Sequence, residues 1–309
     1  MKTKPKTKKR AQKPHIGFIG QGWIGKHYAD NFEDRGFSVV RYAMEEPYRQ
    51  NKEKIKECDI VFIAVPTPTT PEGFDASIIK AVLPLVGKGK IAVIKSTMLP
   101  GTTALLQKEF PKISVFHSPE FLREKSAAYD ASHPNRNIVG IPADTTTART
   151  KAKQVLSVLP QASFEAVVRA TEAELVKYAG NNFFYVKVVY VNMLFDLATK
   201  LGCRFEVVRD AMAGDPRIGL SHMEPIHQSG HVKGRKKGER GAGGHCFIKD
   251  FAAFSDLYEK SVPDAIGANL LKAMRDKNIQ FLLESQKDMD LLEGVYGKKT
   301  LGLYKTKKK

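Results

Sequence analysis

Apolar residues in this chain gather in short unbroken runs rather than in alternation. Residues 15–19 (HIGFI), 59–65 (DIVFIAV) and 90–94 (KIAVI) are such runs, the pattern of strands buried on both faces of a parallel sheet. Residues 38–42 (SVVRY) read as a second strand, and 113–116 and 137–140 (NIVG) as shorter ones. Helical stretches fall between them, near 75–86, 101–109 and 145–157, and a glycine turn after residue 19 opens a helix through about residue 34. Strands alternating with helices predict a Rossmann-type, doubly wound parallel α/β sheet with right-handed crossovers.

The pattern changes near residue 170. Thr171-Glu172-Ala173-Glu174 has the form of a capping box, with Thr at N-cap and Glu at N3. An apolar-rich segment then runs to Leu201 and stops at Gly202, predicting one helix of about 30 residues, well above the globular mean. Helices near 204–213, 249–260 and 264–287 follow, so a helical domain with a long central helix is expected after the sheet. The expected division is a basic tail over 1–14, a dinucleotide-binding domain over 15–168, a helical domain over 169–290 and a basic tail over 291–309.

The length of 309 residues accommodates two domains. No apolar run approaches the roughly 20 residues that cross a bilayer, and the Lys-rich start lacks the apolar core of a secretory signal. Three cysteines, Cys58, Cys203 and Cys246, supply no disulfide framework, so a reducing cytoplasm is expected. The net charge of +17 is concentrated in residues 2–13, in Lys298, Lys299, Lys305 and Lys307 to Lys309, and in Lys233, Arg235, Lys236, Lys237 and Arg240. The terminal clusters read as solvated tails. Attraction to a polyanion is the sharper alternative, but no nucleic-acid motif accompanies them. The third cluster directly precedes Cys246, a placement suited to holding phosphate.

Gly20-Gln21-Gly22-Trp23-Ile24-Gly25 follows a strand and opens a helix, the context that a dinucleotide loop requires. Gly20 permits the tight turn, Gly22 the approach of backbone amides to a pyrophosphate, and Gly25 close helix–sheet packing. The helix N-terminus supplies N–H groups and partial positive charge. The acid that should end the second strand is missing: its place falls at Ala43 in RYAMEE, with Glu45 or Glu46 as substitutes. Arg41 keeps NADP open, but NAD is the expected cofactor, and no metal is expected.

Several further stretches occur in one order: VPTPTTPEG (65–73), KSTMLPGTT (95–103), SPEFLRE (118–124), PNRNIVG (134–140), ELVKYAGNNF (174–183), DPRIG (215–219) and GGHCFIKD (243–250). Over about residues 15–260 the chain resembles the UDP-glucose/GDP-mannose dehydrogenase family, most closely its UDP-glucose 6-dehydrogenases. The resemblance implies two successive hydride transfers to NAD, turning the primary alcohol of a nucleotide sugar into an aldehyde and then a uronic acid.

By motif position the resemblance makes Cys246 the nucleophile. A thiol adds to the aldehyde, and hydride loss leaves a thioester. Polar neighbours Gly243, Gly244, His245, Lys249 and Asp250 fit a reactive thiol better than a buried one. Lys177 and Asn181 lie four apart on one helix face, and the resemblance has them stabilise an oxyanion. Without the family they would read as helix surface. Glu120 is implied as general base, a role that needs burial to tune its carboxyl. Asp250 and Thr97 are implied to hold the catalytic water, although Asp and Thr also favour helix caps. The resemblance adds Gly20, Gly22, Trp23, Ile24, Gly25, Pro66, Thr67, Thr97 and Lys249 to the cofactor site. It places Glu120, Phe121, Leu122, Lys177, Asn181, Arg217 and Gly243 against the substrate.

Arg217 matches an arginine that reaches the partner subunit's substrate, which implies a homodimer built on the long helix. A surface arginine in a turn is the alternative. Two departures stand out. No strand-rich pattern follows residue 260, where the family carries a C-terminal nucleotide-binding domain. His245 and Ile248 replace the common Ser and Pro, and a His before the cysteine resembles the UDP-N-acetyl-amino-sugar enzymes. Two competing functions remain: a β-hydroxyacid-type dehydrogenase, which needs no thiol, and a catalytically idle NAD-binding protein with polyanion-binding tails.

Overall fold

A computed structural model describes residues 13–227 and 238–306. Most of the N-terminal basic tail, the basic cluster from Lys233 to Lys237, and Lys307 to Lys309 lie outside the described residues. In chain order the elements begin β1 Ile16–Ile19, α1 Trp23–Asp34, β2 Val39–Tyr42, β3 Ile60–Ile63, β4 Thr69–Thr70, β5 Gly73–Phe74, α2 Ser77–Val82, β6 Ile91–Ile94 and α3 Thr102–Glu109. They continue with β7 Ser114–His117, α4 Ala127–Ser132, β8 Arg136–Ile141, α5 Thr146–Val158, β9 Phe164–Arg169 and α6 Ala170–Lys200. The last are α7 Phe205–Ala213, α8 Gly244–Ser261, α9 Ala265–Ser285, α10 Met289–Tyr296 and α11 Lys298–Thr306.

The chain divides into two compact units, Met1–Thr67 with Ala76–Leu175, and Pro68–Asp75 with Val176–Lys309. The first is built on a seven-stranded sheet ordered β2-β1-β3-β6-β7-β8-β9. Its strands run parallel except where β7 meets β8 antiparallel, through His117 and Gly140. Strands β1, β3 and β6 are buried along their whole length, which is why their sequences are apolar without alternation. Phe18 of β1 stacks on Phe62 of β3 with ring centroids 5.1 Å apart, and Phe32 of α1 meets Phe18 edge-on. These aromatic contacts fix α1 against the strands whose ends carry the glycine loop.

In the second unit, α6 and α8 share the core of Tyr185, Val188, Val189 and Phe251 with Phe281 of α9. Tyr185 and Phe251 stack at 3.8 Å. A second cluster joins Ile248 of α8 to Ile279, Leu282, Leu292 and Leu301. The β4–β5 hairpin packs against α8 and α10. The unit boundary falls inside α6, after Leu175.

Four sequence expectations need correction. Residues 291–306 are not a tail: α10 and α11 bury Leu292 and Leu301, an apolar side hidden among lysines. The helix expected near 249–260 starts at Gly244, so Cys246 lies in its first turn. Asp250 is accordingly one turn inside that helix and not at its start. The capping box is displaced: α6 begins at Ala170, and Glu172 reaches back to the Arg169 N–H at 2.9 Å.

Glu174 turns away from its own helix instead. Its carboxylate accepts from the Gly101 N–H at 2.6 Å, the Thr103 N–H at 2.8 Å and the Thr103 hydroxyl at 2.6 Å. It caps α3, which has no side-chain cap of its own. Burial raises the Glu174 carboxyl above its ordinary value, opposed by those same hydrogen bonds.

Replacing Glu174 by Ala strands two amides and a buried hydroxyl. A loss of about 2–3 kcal/mol in urea denaturation is expected, with Gln recovering part of it and an unchanged midpoint counting against the cap. The thiols provide a second check. Burial pushes Cys58 up to about 11, whereas Cys203 and Cys246 are exposed. With a disulfide reagent near neutral pH, two of three thiols should titrate on the native protein and the third only after unfolding.

Candidate active site

In the first unit the chain steps from β1 to β2 on one side and then to β3 on the other, so a crevice opens at the carboxyl ends of β1 and β3. The glycine loop follows β1. Gly20 has φ +90°, and a Cβ there would stand 2.4 Å from the Ala64 oxygen; one on Gly25 would stand 1.9 Å from the Gly20 oxygen. Neither can bear a side chain. Gly22 differs, because a Cβ there would meet nothing within 4 Å. Its surface is open where the other two are packed. No side chain caps α1, leaving its first N–H groups for a ligand. These features fit a dinucleotide pyrophosphate. Trp23 is exposed and Ile24 packs on the core.

Arg41 forms ion pairs with Asp30 at 2.7 Å and with Glu33 at 2.6 Å. Both acids sit on α1. The guanidinium is thus engaged by carboxylates rather than offered to a 2′-phosphate, which favours NAD over NADP. Ala43 is buried at the place of the missing acid, and Glu45 and Glu46 are exposed beside it. The loops after β3 and β6 are tied by the Thr67 hydroxyl, which donates to the Thr97 carbonyl at 2.8 Å. Pro66 precedes it at the surface.

A buried polar group gathers after β6 and β7. Lys95, 3% exposed, donates to the Ser118 hydroxyl at 3.2 Å and stands 4.5 Å from the Tyr28 ring centroid. Burial raises the Tyr28 hydroxyl well above its ordinary value, with Glu120 and Asp130 adding to the effect. Glu120 is buried and accepts the Leu122 N–H at 2.7 Å. Leu122 packs on the core, and Arg136 lies 3.7 Å over the Phe121 ring, so both side chains already have protein partners. Sequence reasoning missed Lys95. Its signal is a lysine closing the apolar run KIAVIK.

In the second unit Asp250 is fully buried. One oxygen accepts from the Asn181 amide at 2.6 Å and the other pairs with the Lys249 ammonium at 2.5 Å. This joins the face of α6 bearing Lys177 and Asn181 to α8 about one turn past Cys246, which is exposed. Lys177 is only 5% exposed, not the solvated lysine that helix spacing alone suggests. Lys249, expected at the cofactor, is engaged by Asp250. Gly243 is tightly packed, since a Cβ there would stand 2.1 Å from Asp288 Oδ2, whereas Gly244 has φ +80° and a Cβ there would meet nothing within 4 Å. Arg217 is 88% exposed and grips Asp215 of its own turn at 2.6 Å. His222, not singled out in the sequence, has φ 61° and stacks on Phe184 at 4.2 Å, 5.7 Å from Phe247. Burial holds its imidazole below the usual range, as do Lys187 and His227.

The "UDP-glucose/GDP-mannose dehydrogenase family, NAD binding domain" matches residues 46–157, and that family's central domain matches 171–280. The first match starts after the glycine loop, whose reading stands on its own geometry. UDP-glucose 6-dehydrogenase YwqF of Bacillus subtilis (strain 168) is 32% identical over 302 residues, covering 89% of this chain and 64% of its own length. A UDP-glucose dehydrogenase structure from Pyrobaculum islandicum has a TM-score of 0.73 at 26% identity, covering 90% of this chain and 72% of that one. The 3-hydroxyisobutyrate dehydrogenase of Mycobacterium tuberculosis, with a TM-score of 0.65 and 18% identity, covers 92% of this chain and 99% of its own and is alike in fold alone. Against YwqF, then, the chain spans less than two thirds of its relative's length. Two domains of one family, matched in order over most of the sequence, make this chain a member of the UDP-glucose/GDP-mannose dehydrogenase family.

Proposed function

We propose that the chain oxidises the primary alcohol of a nucleotide sugar to a uronic acid, with NAD as cofactor and Cys246 as covalent nucleophile. The observation that carries this reading is the Asn181–Asp250 hydrogen bond, which binds the Lys177 face of α6 to the thiol-bearing helix. NAD, when bound along Gly20, Gly22 and Gly25, accepts one hydride in each oxidation.

The remaining chemistry belongs to side chains. The Cys246 sulfur lies in the first turn of α8. It adds to the aldehyde carbon and forms a C–S bond. Loss of hydride from that carbon leaves a thioester, and water then cleaves C–S, releasing the acid and restoring the thiol. Lys177 and the Asn181 amide supply positive charge and a donor for the oxyanions of these steps. Glu120 takes the proton of alcohol or water, and Thr97 and Asp250 are the candidates for holding the catalytic water. Three cysteines outside any disulfide fit a reducing cytoplasm, and among the described residues no helix is long and apolar enough to cross a membrane.

Homodimerisation belongs to the same reading. Phe183, Tyr190, Met193 and Leu197 leave an exposed apolar stripe along α6, continued by Leu201 just past its end, larger than single scattered residues explain. Arg217 stands free of the core for a role toward a partner's substrate.

Purified protein mixed with NAD and a panel of UDP- and GDP-sugars should form two NADH per sugar oxidised, and Cys246→Ala should abolish it. NADH formation that survives Cys246→Ala would overturn covalent catalysis in favour of a β-hydroxyacid-type reaction. No NADH with any sugar, together with salt-sensitive nucleic-acid binding, would favour the idle NAD-binding protein. For assembly, sedimentation equilibrium should report a dimer that Leu197→Glu reduces to monomer; a wild-type monomer would refute the α6 interface.

A further inference from the structure

Asp288 is the residue before α10, with φ 49°. An aspartate there ordinarily caps its own helix. No side-chain hydrogen bond caps α10. The Asp288 carboxylate reaches α8 instead, where Oδ2 accepts the Gly244 N–H at 2.7 Å. Gly244 opens α8, and its amide is one of those a helix leaves without an internal partner.

The neighbours complete a clamp. Lys287, buried beside Asp288, donates from Nζ to the Gly241 carbonyl at 3.0 Å. Asn278 of α9 binds both sides of Ala242, accepting from its N–H at 2.7 Å and donating to its oxygen at 2.9 Å. Gly243 lies so close that a Cβ would meet Lys287 Cε at 2.6 Å. Every backbone unit from Gly241 to Gly244 is therefore held or packed by α9 or by the turn after it. Cys246 follows two residues later, inside the first turn of α8.

The turn that supplies the clamp is itself strained. Gln286 and Asp288 both adopt left-handed backbone, at φ 54° and 49°, a conformation that costs residues other than glycine and persists only where surroundings enforce it. Leu282 before the turn and Leu292 after it are buried with Ile248 of α8 in one cluster, which supplies that enforcement. Lys287 and Asp288 both lie past residue 280, where the central-domain match ends.

We propose that Asp288 is a positioning residue for Cys246, capping the thiol-bearing helix from another element and so fixing the turn that carries the sulfur. The proposal rests on reading Cys246 as the nucleophile. The cap holds the first amide of α8 in place, and the next residues inherit its direction. A reacting atom displaced by a fraction of an ångström loses its approach to the substrate carbon even when substrate still binds.

Three measurements test it. Asp288→Ala, assayed with the sugar of the panel that forms most NADH, should lower kcat about tenfold or more while KM stays within about twofold. Asp288→Asn retains an oxygen that accepts the Gly244 N–H and should restore most of kcat. Equal losses in Ala and Asn, or a change confined to KM, would overturn the positioning role. On the unsubstituted protein, the Gly244 amide should be protected from hydrogen exchange although it lies in a helix's first turn; an unprotected amide overturns the cap whatever the variants do. That measurement needs no turnover, and Cys246→Ala needs no Asp288 variant, so failure of the cap and failure of the covalent reading are told apart.

Discussion

A carboxylate with no exposed surface must find its partners inside the protein, and the second unit is organised around one. Asp250 has both oxygens engaged, one by the Asn181 amide of α6 and one by the Lys249 ammonium beside it. Because the amide comes from another helix, satisfying the charge fixes how α6 and α8 meet. The Tyr185–Phe251 stack continues that seam one residue further along α8. Lys177, a turn before Asn181, and Cys246, a turn before Asp250, inherit their placement from this contact. Removing the amide would leave a buried charge half answered, so the geometry of the thiol and the folding of the unit share one interaction.

Helix ends show the same economy across the molecule. Glu174 lies in α6 yet satisfies the start of α3, and Asp288 precedes α10 yet satisfies the start of α8. In both cases an acidic side chain that local rules would assign to its own helix serves one distant in sequence. Each bond is thereby a tertiary contact as well as a cap, and the orientation of two helices depends on one carboxylate.

These long-range caps also mark where sequence reading runs out. Six strands of the sheet were legible because parallel strands buried on both faces leave unbroken apolar runs, and the glycine loop was legible because each glycine answers a separate steric demand. β9 was not, since three of its six residues are exposed. The β4–β5 hairpin was too short to carry a period. The acids and amide at Glu120, Asp250 and Asn181 could be named from motif order, but nothing local told that Lys177 is buried or that Lys95 lies under Tyr28. Gly243 was expected against the substrate. Its actual neighbour, the turn at Lys287 and Asp288, is more than forty residues away in the chain.

The hairpin carries one last implication. Residues Pro68–Asp75 belong to the second unit although sequence from the first flanks them on both sides. The polypeptide therefore passes between units three times, after Thr67, after Asp75 and after Leu175. As the chain leaves the ribosome, β4 and β5 emerge long before α8 and α10, the helices they rest on. The hairpin must wait, unsupported, until α8 and α10 have been synthesised, and no single cut can release the second unit with all of its own parts.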